Sequence, residues 1–111
     1  MLANVAHTVW EVHKVSAHHP GLYVNDTARA GATWPMTQKI YLSDELSGDQ
    51  VYRVVLHELS HAWLHATQVS QQESWNEEEL CDMIAIYGPD IVHLATAVHK
   101  QLYPEVQLRG L

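Results

Sequence analysis

The pentapeptide His57-Glu58-Leu59-Ser60-His61 constrains this chain more than any other stretch. On an α-helix, residues four apart share one face and lie about 6 Å apart along the axis. His57 and His61 can therefore direct two imidazoles at one metal ion. Glu58 is turned about 100° from His57, which places its carboxylate beside such an ion, where a general base is needed. Chance can produce this pattern in a chain with nine histidines, so the flanking sequence has to support it.

The flanking sequence predicts an amphipathic helix over residues 48–67. Ser47-Gly48-Asp49-Gln50 has the pattern of a capping box, with a hydroxyl at the N-cap and Gln at the third helical position. The 3.6-residue period gives two adjacent stripes, Val51, Val55, Leu59 and Ala62 on one and Val54, His57 and His61 on the other. The metal-binding face is thus predicted to lie on the flank of the core face.

The rest of the chain predicts strands first and helices afterwards. Strands are predicted at 8–15, 22–25 and 39–43, separated by a turn (16–21) and a polar loop (26–32, continued by Trp34-Pro35). Ile40 and Leu42 are expected to face the core. Two further helices are predicted at 75–87 and 91–103, with Ser74 capping the first and Gly88-Pro89 ending it. The expected fold is α+β, with a small antiparallel or mixed sheet before three helices, in one domain over 1–111.

Composition excludes several classes of function. Six basic and thirteen acidic residues give a formal charge of −7, which disfavours binding to nucleic acid or to anionic membranes. The one cysteine, Cys81, cannot form an internal disulfide. The N-terminus has no signal-peptide pattern, and no apolar run is long enough to span a bilayer. A soluble cytoplasmic protein is expected.

A catalytic zinc usually has three protein ligands and one open position. The possible third ligands after His61 are His65, Glu73, Glu77, Glu78, Glu79 and Asp82. His65 lies about 12 Å from His57 along the helix, too far to share their ion, and is left as an exposed or cleft-lining residue. Glu78 and Asp82 share one helix face, so Glu78 is predicted to ligate the metal while Asp82 accepts a ligand ring N–H. The alternative for this acidic turn is a solvated helix N-terminus that favours the dipole.

These residues carry a resemblance to a known family. HELSH with a glutamate and an aspartate on the next helix resembles the gluzincin metallopeptidases. More narrowly, KIYLS (39–43), HELSHAWL (57–64) and EELCDMIA (78–85) resemble the ImmA/IrrE family of small bacterial and phage-associated zincins, over about residues 38–87. The resemblance implies a zincin-like fold, a third ligand in a Glu-x-x-Ala-Asn-like motif, and an edge strand on which extended substrate lies. Two departures are Cys81-Asp82 in place of Ala-Asn, and the lack of the attached helix-turn-helix or regulatory domain that points to cleavage of a transcriptional regulator.

The function predicted from the sequence is zinc-dependent hydrolysis of peptide bonds in a protein partner. His57, His61 and Glu78 would hold Zn²⁺, and Glu58 would take a proton from the attacking water and pass one to the leaving amine. Three side chains are nominated for lining the cleft and stabilising the oxyanion: His65, Tyr87 and His93. The edge of the strand at 39–43 is expected to pair with substrate main chain.

Two alternatives are also compatible with these residues. One is a non-catalytic or latent zinc-binding module, such as a phage or prophage accessory or regulatory protein, which would gain stability from metal. The other is a zinc hydrolase that acts on non-peptide substrates. Glu58 favours an enzyme over the first alternative, because a structural zinc site closes its fourth position and needs no such carboxylate.

Overall fold

A mixed β-sheet forms one layer of the protein in the computed structural model, which describes residues 1–67 and 77–107. The strands are β1 (Leu2–Val5), β2 (Thr8–Val15), β3 (Tyr23–Val24), β4 (Thr27–Ala28), β5 (Gly31–Trp34) and β6 (Lys39–Ser43). Four of them form the main sheet in the order β1-β2-β6-β5. The central pair, β2 and β6, is parallel, and both outer pairs are antiparallel. The hairpin of β3 and β4 follows a short 3-10 helix at Pro20–Leu22.

The two central strands are those that the sequence predicts best. The structure confirms the predicted range of each strand, 8–15 and 39–43. Alternation places Trp10, Val12, Ile40 and Leu42 on the inner face, each at most 2% exposed, whereas Val9 on the other face is 58% exposed. Period-2 patterning with β-branched and aromatic residues is typical of a sheet that buries one face.

Two helices cover the inner face of this sheet. They are α1 (Asp49–Ala66) and α2 (Glu77–Leu102). The predicted apolar stripe of α1, Val51, Val55, Leu59 and Ala62, is confirmed as buried. From α2, Ile91, Ala95 and Val98 join the same core. The architecture is therefore α+β, with a small mixed sheet and two helices.

The predicted loop before Lys39 is wrong in part, because it contains β4 and β5. Gly31 to Trp34 pair with Leu42 to Lys39 in antiparallel register, and this long-range pairing outweighs a local sequence rich in Gly and Pro. Pro35 comes directly after the strand, where no N–H is needed for pairing. Because β6 is paired on both sides, the prediction that β6 offers a free edge is also wrong. Within the described chain, the edge strands of the sheet are β1 on one side and β5 on the other.

The predicted stop at Gly88-Pro89 is wrong as well, because α2 runs through both residues. The second and third predicted helices are one helix. A proline inside a helix costs roughly 3 kcal/mol, and packing on both sides of Pro89 offsets this cost. Met83 and Tyr87 before it, and Ile91 after it, contact the same core.

The helix ends differ from the predicted caps. The N-cap of α1 is Gly48, with φ of 57° and no side-chain hydrogen bond, so the prediction of a Ser47 cap is wrong. The predicted Ser74 cap lies outside the described residues. At the other end of α2, the Tyr103 hydroxyl donates to the Ser43 carbonyl at 2.6 Å and ties the helix to the sheet. Neither helix, over its described residues, combines the length and apolarity needed to cross a membrane.

Candidate metal centre and its cavity

A cavity of about 630 Å³ lies between α1 and the free edge of β5. This volume is within the range of small-molecule sites in proteins, roughly 300–1,000 Å³. One wall is the α1 face that carries Arg53, Val54, His57, Glu58, His61 and His65. The opposite wall includes consecutive residues 29–33. Since side chains alternate along a strand, a run of consecutive lining residues means that the cavity borders the edge of β5 and its main chain.

His57 and His61 converge on the cavity from successive turns of α1. Their Nε2 atoms lie 3.1 Å apart, and the two rings meet edge to face with centroids 4.7 Å apart. Two nitrogen ligands at about 2.05 Å from a tetrahedral zinc would be separated by roughly 3.3 Å. The spacing of the two imidazoles therefore fits a shared metal ion. Both side chains are exposed, as the ligands of an open site would be.

The environment of His61 favours the form that binds metal. Desolvation lowers the pKa of His61, Glu58 opposes this by raising it, and His57 and His65 lower it further through like-charge repulsion. A lowered pKa keeps the imidazole neutral near pH 7. Metal ligation requires the neutral ring.

Glu58 is the buried member of the group, at 7% exposure. Its carboxylate Oε1 accepts a hydrogen bond of 2.7 Å from the Thr33 hydroxyl, which also lies 3.1 Å from the Glu58 carbonyl oxygen. Thr33 is paired with Ile40 across the sheet and so shares its helix-facing side. A strand residue thereby fixes the orientation of a carboxylate that helix geometry alone would leave free to rotate.

Gly31 allows the close approach of β5 to α1. A Cβ atom at this position would lie 2.8 Å from Glu58 Cγ and 2.9 Å from Val54 Cγ1. Both distances are below those that real Cβ atoms adopt. The lack of a side chain at Gly31 therefore brings the β5 main chain against the residue that the sequence nominates as general base.

The predicted third ligand does not join the two histidines in this structure. Glu78 and Asp82 are exposed on the first turns of α2, and neither is among the cavity-lining residues. Residues 1–67 and 77–107 hold no group of three His, Cys, Asp or Glu side chains arranged around one ion. Glu73, another possible third ligand, lies outside the described residues. The assignments of Glu78 and Asp82 stay predictions.

Of the three residues predicted to line the cleft, one lies at the cavity and two do not. His65 lines the cavity one turn beyond His61. Tyr87 is half-buried and packs against the core, and His93 is exposed on α2. Neither of these two is among the lining residues.

The sequence alone does not point to several of the lining residues, among them Arg29, Gly31, Thr33 and Arg53. Arg53 had a usable signal, since it precedes His57 by four positions and shares its helix face. The other three come from a segment predicted as loop. Their place at the cavity depends on the pairing of β5 with β6, which no local pattern indicates.

Comparisons with known proteins found no match: no protein-family model fits this chain, and no curated protein or solved structure is significantly similar to it.

Proposed function

We propose that this chain is a zinc-dependent peptidase with a zincin-like fold, of the ImmA/IrrE type. The observation that carries the proposal is the 3.1 Å approach of the Nε2 atoms of His57 and His61 at the wall of a cavity. The buried carboxylate of Glu58 lines the same cavity. Two nitrogen ligands, a general base and space for a substrate are the parts that metal-assisted hydrolysis requires.

The proposed zinc ligands are His57, His61 and Glu78, with Asp82 orienting a ligand imidazole. The donor set of two histidines and one glutamate is a known catalytic zinc site, which leaves one coordination position open. Zinc bound there supplies Lewis acidity, which acidifies water and polarises a carbonyl group.

Glu58 is the proposed general base. Its carboxylate takes a proton from the water that attacks the peptide carbonyl, and then delivers a proton to the nitrogen of the departing amine. Thr33 donates to Oε1, which leaves Oε2 for the water and prevents rotation of the carboxylate. The hydrogen bond therefore holds Glu58 ready for transfer without using both of its oxygens.

The proposed substrate is an extended segment of a protein partner. The free edge of β5 borders the cavity, and its main chain can pair with an extended peptide by β-augmentation. A peptide paired with this edge passes His57 and His61 within reach of Glu58.

We place the reaction in the cytoplasm, because the free cysteine of the described chain, Cys81, is exposed and such thiols persist in reducing compartments.

A non-catalytic zinc module is the alternative. A structural zinc site is closed by four protein ligands, whereas His57 and His61 face an open cavity. This point favours the enzyme.

Metal analysis tests the proposed ligands. Purified protein is expected to hold about one zinc per chain, and His57→Ala or His61→Ala to abolish it. Glu78→Ala is expected to weaken zinc binding by at least tenfold, since it removes a direct ligand. His18→Ala, which removes an exposed histidine away from the cavity, is the matched control and should keep full zinc. Unchanged zinc affinity in Glu78→Ala would remove the third-ligand assignment.

Turnover tests the proposed base. Zinc-loaded protein is expected to cleave unfolded casein or a mixture of unstructured peptides, detected by mass spectrometry. Glu58→Gln should keep its zinc and lose at least a hundredfold in rate, as general bases contribute roughly 10²–10⁴. Full zinc in the wild-type chain with no cleavage of any peptide would contradict the peptidase and favour the non-catalytic module.

A further inference from the structure

Two arginines, Arg29 and Arg53, line the cavity that holds His57 and His61. The whole chain contains only six Lys and Arg residues against thirteen acidic ones. One third of the basic side chains therefore meets at one cavity of an acidic protein. Within the described chain, Glu58 is the single acidic residue of its lining. This arrangement makes the cavity locally positive while the protein as a whole is negative.

The two arginines approach the cavity from different elements. Arg53 is four residues before His57, on the same face of α1 and about 6 Å along the axis. Arg29 follows β4, and its N–H donates to the Leu22 carbonyl at 2.8 Å. The hairpin before it turns at Asn25 and Asp26, both with positive φ, as a two-residue turn of type I′ requires. The main chain is thus held by the hairpin at Arg29 and, at the next residue, by the hydrogen bond that the Ser43 N–H donates to the Ala30 carbonyl at 3.0 Å.

Three ion pairs, of Glu11 with His13 and Lys39 and of Glu105 with Lys14, lie outside the cavity lining. Arginine presents a planar fork of donors that matches a carboxylate. A low-dielectric cavity wall also strengthens the attraction relative to open water.

We propose that Arg29 and Arg53 form a carboxylate-binding subsite beside the proposed catalytic centre. An extended peptide advances about 3.3 Å per residue, so the 6 Å between Arg53 and His57 corresponds to about two residues. The substrate therefore carries a carboxylate, from an Asp or Glu side chain or from its C-terminus, within two residues of the bond that is cleaved. This inference rests on the proposed function for the identity of the ligand as a peptide.

Equilibrium binding tests the subsite without relying on turnover. The probes are fluorescent seven-residue Ala/Ser peptides in which one Asp or one Asn occupies each position in turn, each made with a free or an amidated C-terminus. The protein is zinc-loaded Glu58→Gln, and the readout is fluorescence anisotropy. At least one Asp peptide, or the free-acid series, should bind about tenfold more tightly than its neutral counterpart, since hydrogen bonds to charged groups are worth at least this factor. The Asp series and the free-acid series separate the two sources of the carboxylate.

Variants identify the groups that bind the carboxylate. The double variant Arg29→Gln/Arg53→Gln should lose the preference, and Arg29→Lys/Arg53→Lys should keep part of it. The matched control is Lys39→Gln/Lys100→Gln, which lowers the net charge by the same two units outside the cavity lining and should keep the full preference. All four side chains are at or near the surface, and circular dichroism verifies that each variant is folded.

Metal removal separates the arginines from zinc as the carboxylate ligand. The preference should persist in the presence of EDTA. Its loss on chelation, equal affinity for the charged and neutral peptides, or an undiminished preference in the Arg→Gln double variant would each overturn the proposal.

Turnover by the wild-type chain distinguishes this inference from the proposed function. Tight, arginine-dependent binding of the acidic peptides with no cleavage would contradict the peptidase and leave the subsite standing. Cleavage at equal rates with and without acidic residues in the peptide would contradict the subsite and leave the peptidase standing.

Discussion

The hydroxyl group of Thr33, on β5, contacts the carboxylate of the proposed general base, Glu58. Its hydrogen bond to the Glu58 carboxylate is 2.7 Å long, in the range of charge-assisted O–H···O⁻ bonds. A buried carboxylate without such a donor would pay a large desolvation cost. The Thr33 hydroxyl therefore fixes the orientation of the Glu58 carboxylate and supplies a hydrogen-bond partner to a buried polar group.

Two buried tyrosine hydroxyl groups provide a matched test of hydrogen bonding in the core. The Tyr103 hydroxyl donates to Ser43, while the Tyr52 hydroxyl is buried without a hydrogen-bond partner among the described residues. Tyr103→Phe is expected to lower the free energy of unfolding by about 1–2 kcal/mol, because it removes a short hydrogen bond and leaves the Ser43 carbonyl with a weaker one from the Leu46 N–H, at 3.4 Å. Tyr52→Phe is expected to be neutral or stabilising by up to about 1 kcal/mol, since it removes a hydroxyl that gains nothing on burial. Urea unfolding of both variants makes the comparison, and equal losses would contradict it.

His99 makes stability depend on pH. Burial lowers the pKa of His99 below its ordinary 6.5, and Glu105 partly opposes this. The unfolded chain therefore takes up this proton at higher pH than the folded chain. His99 leaves the free energy of unfolding undiminished above about pH 6.5, and it lowers that free energy as the pH falls from there towards the folded pKa. Thermal melts of the zinc-free protein should show a midpoint that falls between pH 7.5 and 5.5.

The variant His99→Gln isolates this contribution. Glutamine is neutral throughout, so the decline should be shallower than in the wild-type chain, while other groups such as His61 act equally in both. Parallel pH profiles for the two proteins would exclude His99 as a cause.

At the scale of elements, the contact between β5 and α1 depends on Gly31. A side chain there would overlap Glu58 and Val54, and overpacking typically costs about 1–3 kcal/mol. Gly31→Ala is expected to lose stability by this amount and to reduce turnover, with zinc content unchanged, because Glu58 moves while the histidines stay.

Gly88→Ala is the matched control for Gly31→Ala. Its added Cβ would meet Ile84 at 3.6 Å, an ordinary contact, and alanine favours a helix over glycine by about 1 kcal/mol. This variant should be neutral or stabilised in urea unfolding. A Gly31→Ala protein as stable and as active as the control would show that the close approach is not required.

The elements differ in how far sequence predicts them. Residues 8–15, 39–43 and α1 have clear periodicity, and the structure confirms all three. The sequence does not predict strand β1, because the turn after it has Ala6 and His7 at positive φ, where Asn-Gly is the usual signal. Strand β5 and the continuous α2 depend on tertiary pairing and packing, which outweigh Gly and Pro signals.

The residues of the candidate site also differ in how far the sequence predicts them. His57, Glu58 and His61 follow from helix periodicity, and the structure brings all three to one cavity. Thr33, Gly31 and Arg29 reach it only through β5 and the hairpin before it. The prediction of Glu78 and Asp82 assumed a separate helix over 75–87, and in this structure the residues lie on the exposed first turns of a longer helix.

For the whole molecule, zinc is expected to contribute to stability. A ligand that binds only the folded state at a hundred times its Kd adds about 2.7 kcal/mol. In a domain of this size, such a gain raises Tm by roughly 10 °C. Thermal melts with excess zinc and with EDTA should differ by about this amount. The difference should vanish in His57→Ala and persist in His18→Ala; an equal shift in both would assign the effect to other binding groups.

The free edge of β5 also bears on whether two copies of this protein can pair edge to edge. Unpaired backbone groups at the end of a sheet are a template for edge-to-edge association, which natural proteins limit with short strands and proline. β5 has only four residues and is followed at once by Pro35, which cannot donate to a neighbouring strand. A second copy could therefore add few hydrogen bonds here, whereas a peptide that also engages the cavity gains contacts beyond the edge. The brevity of this strand thus favours transient occupants over permanent ones.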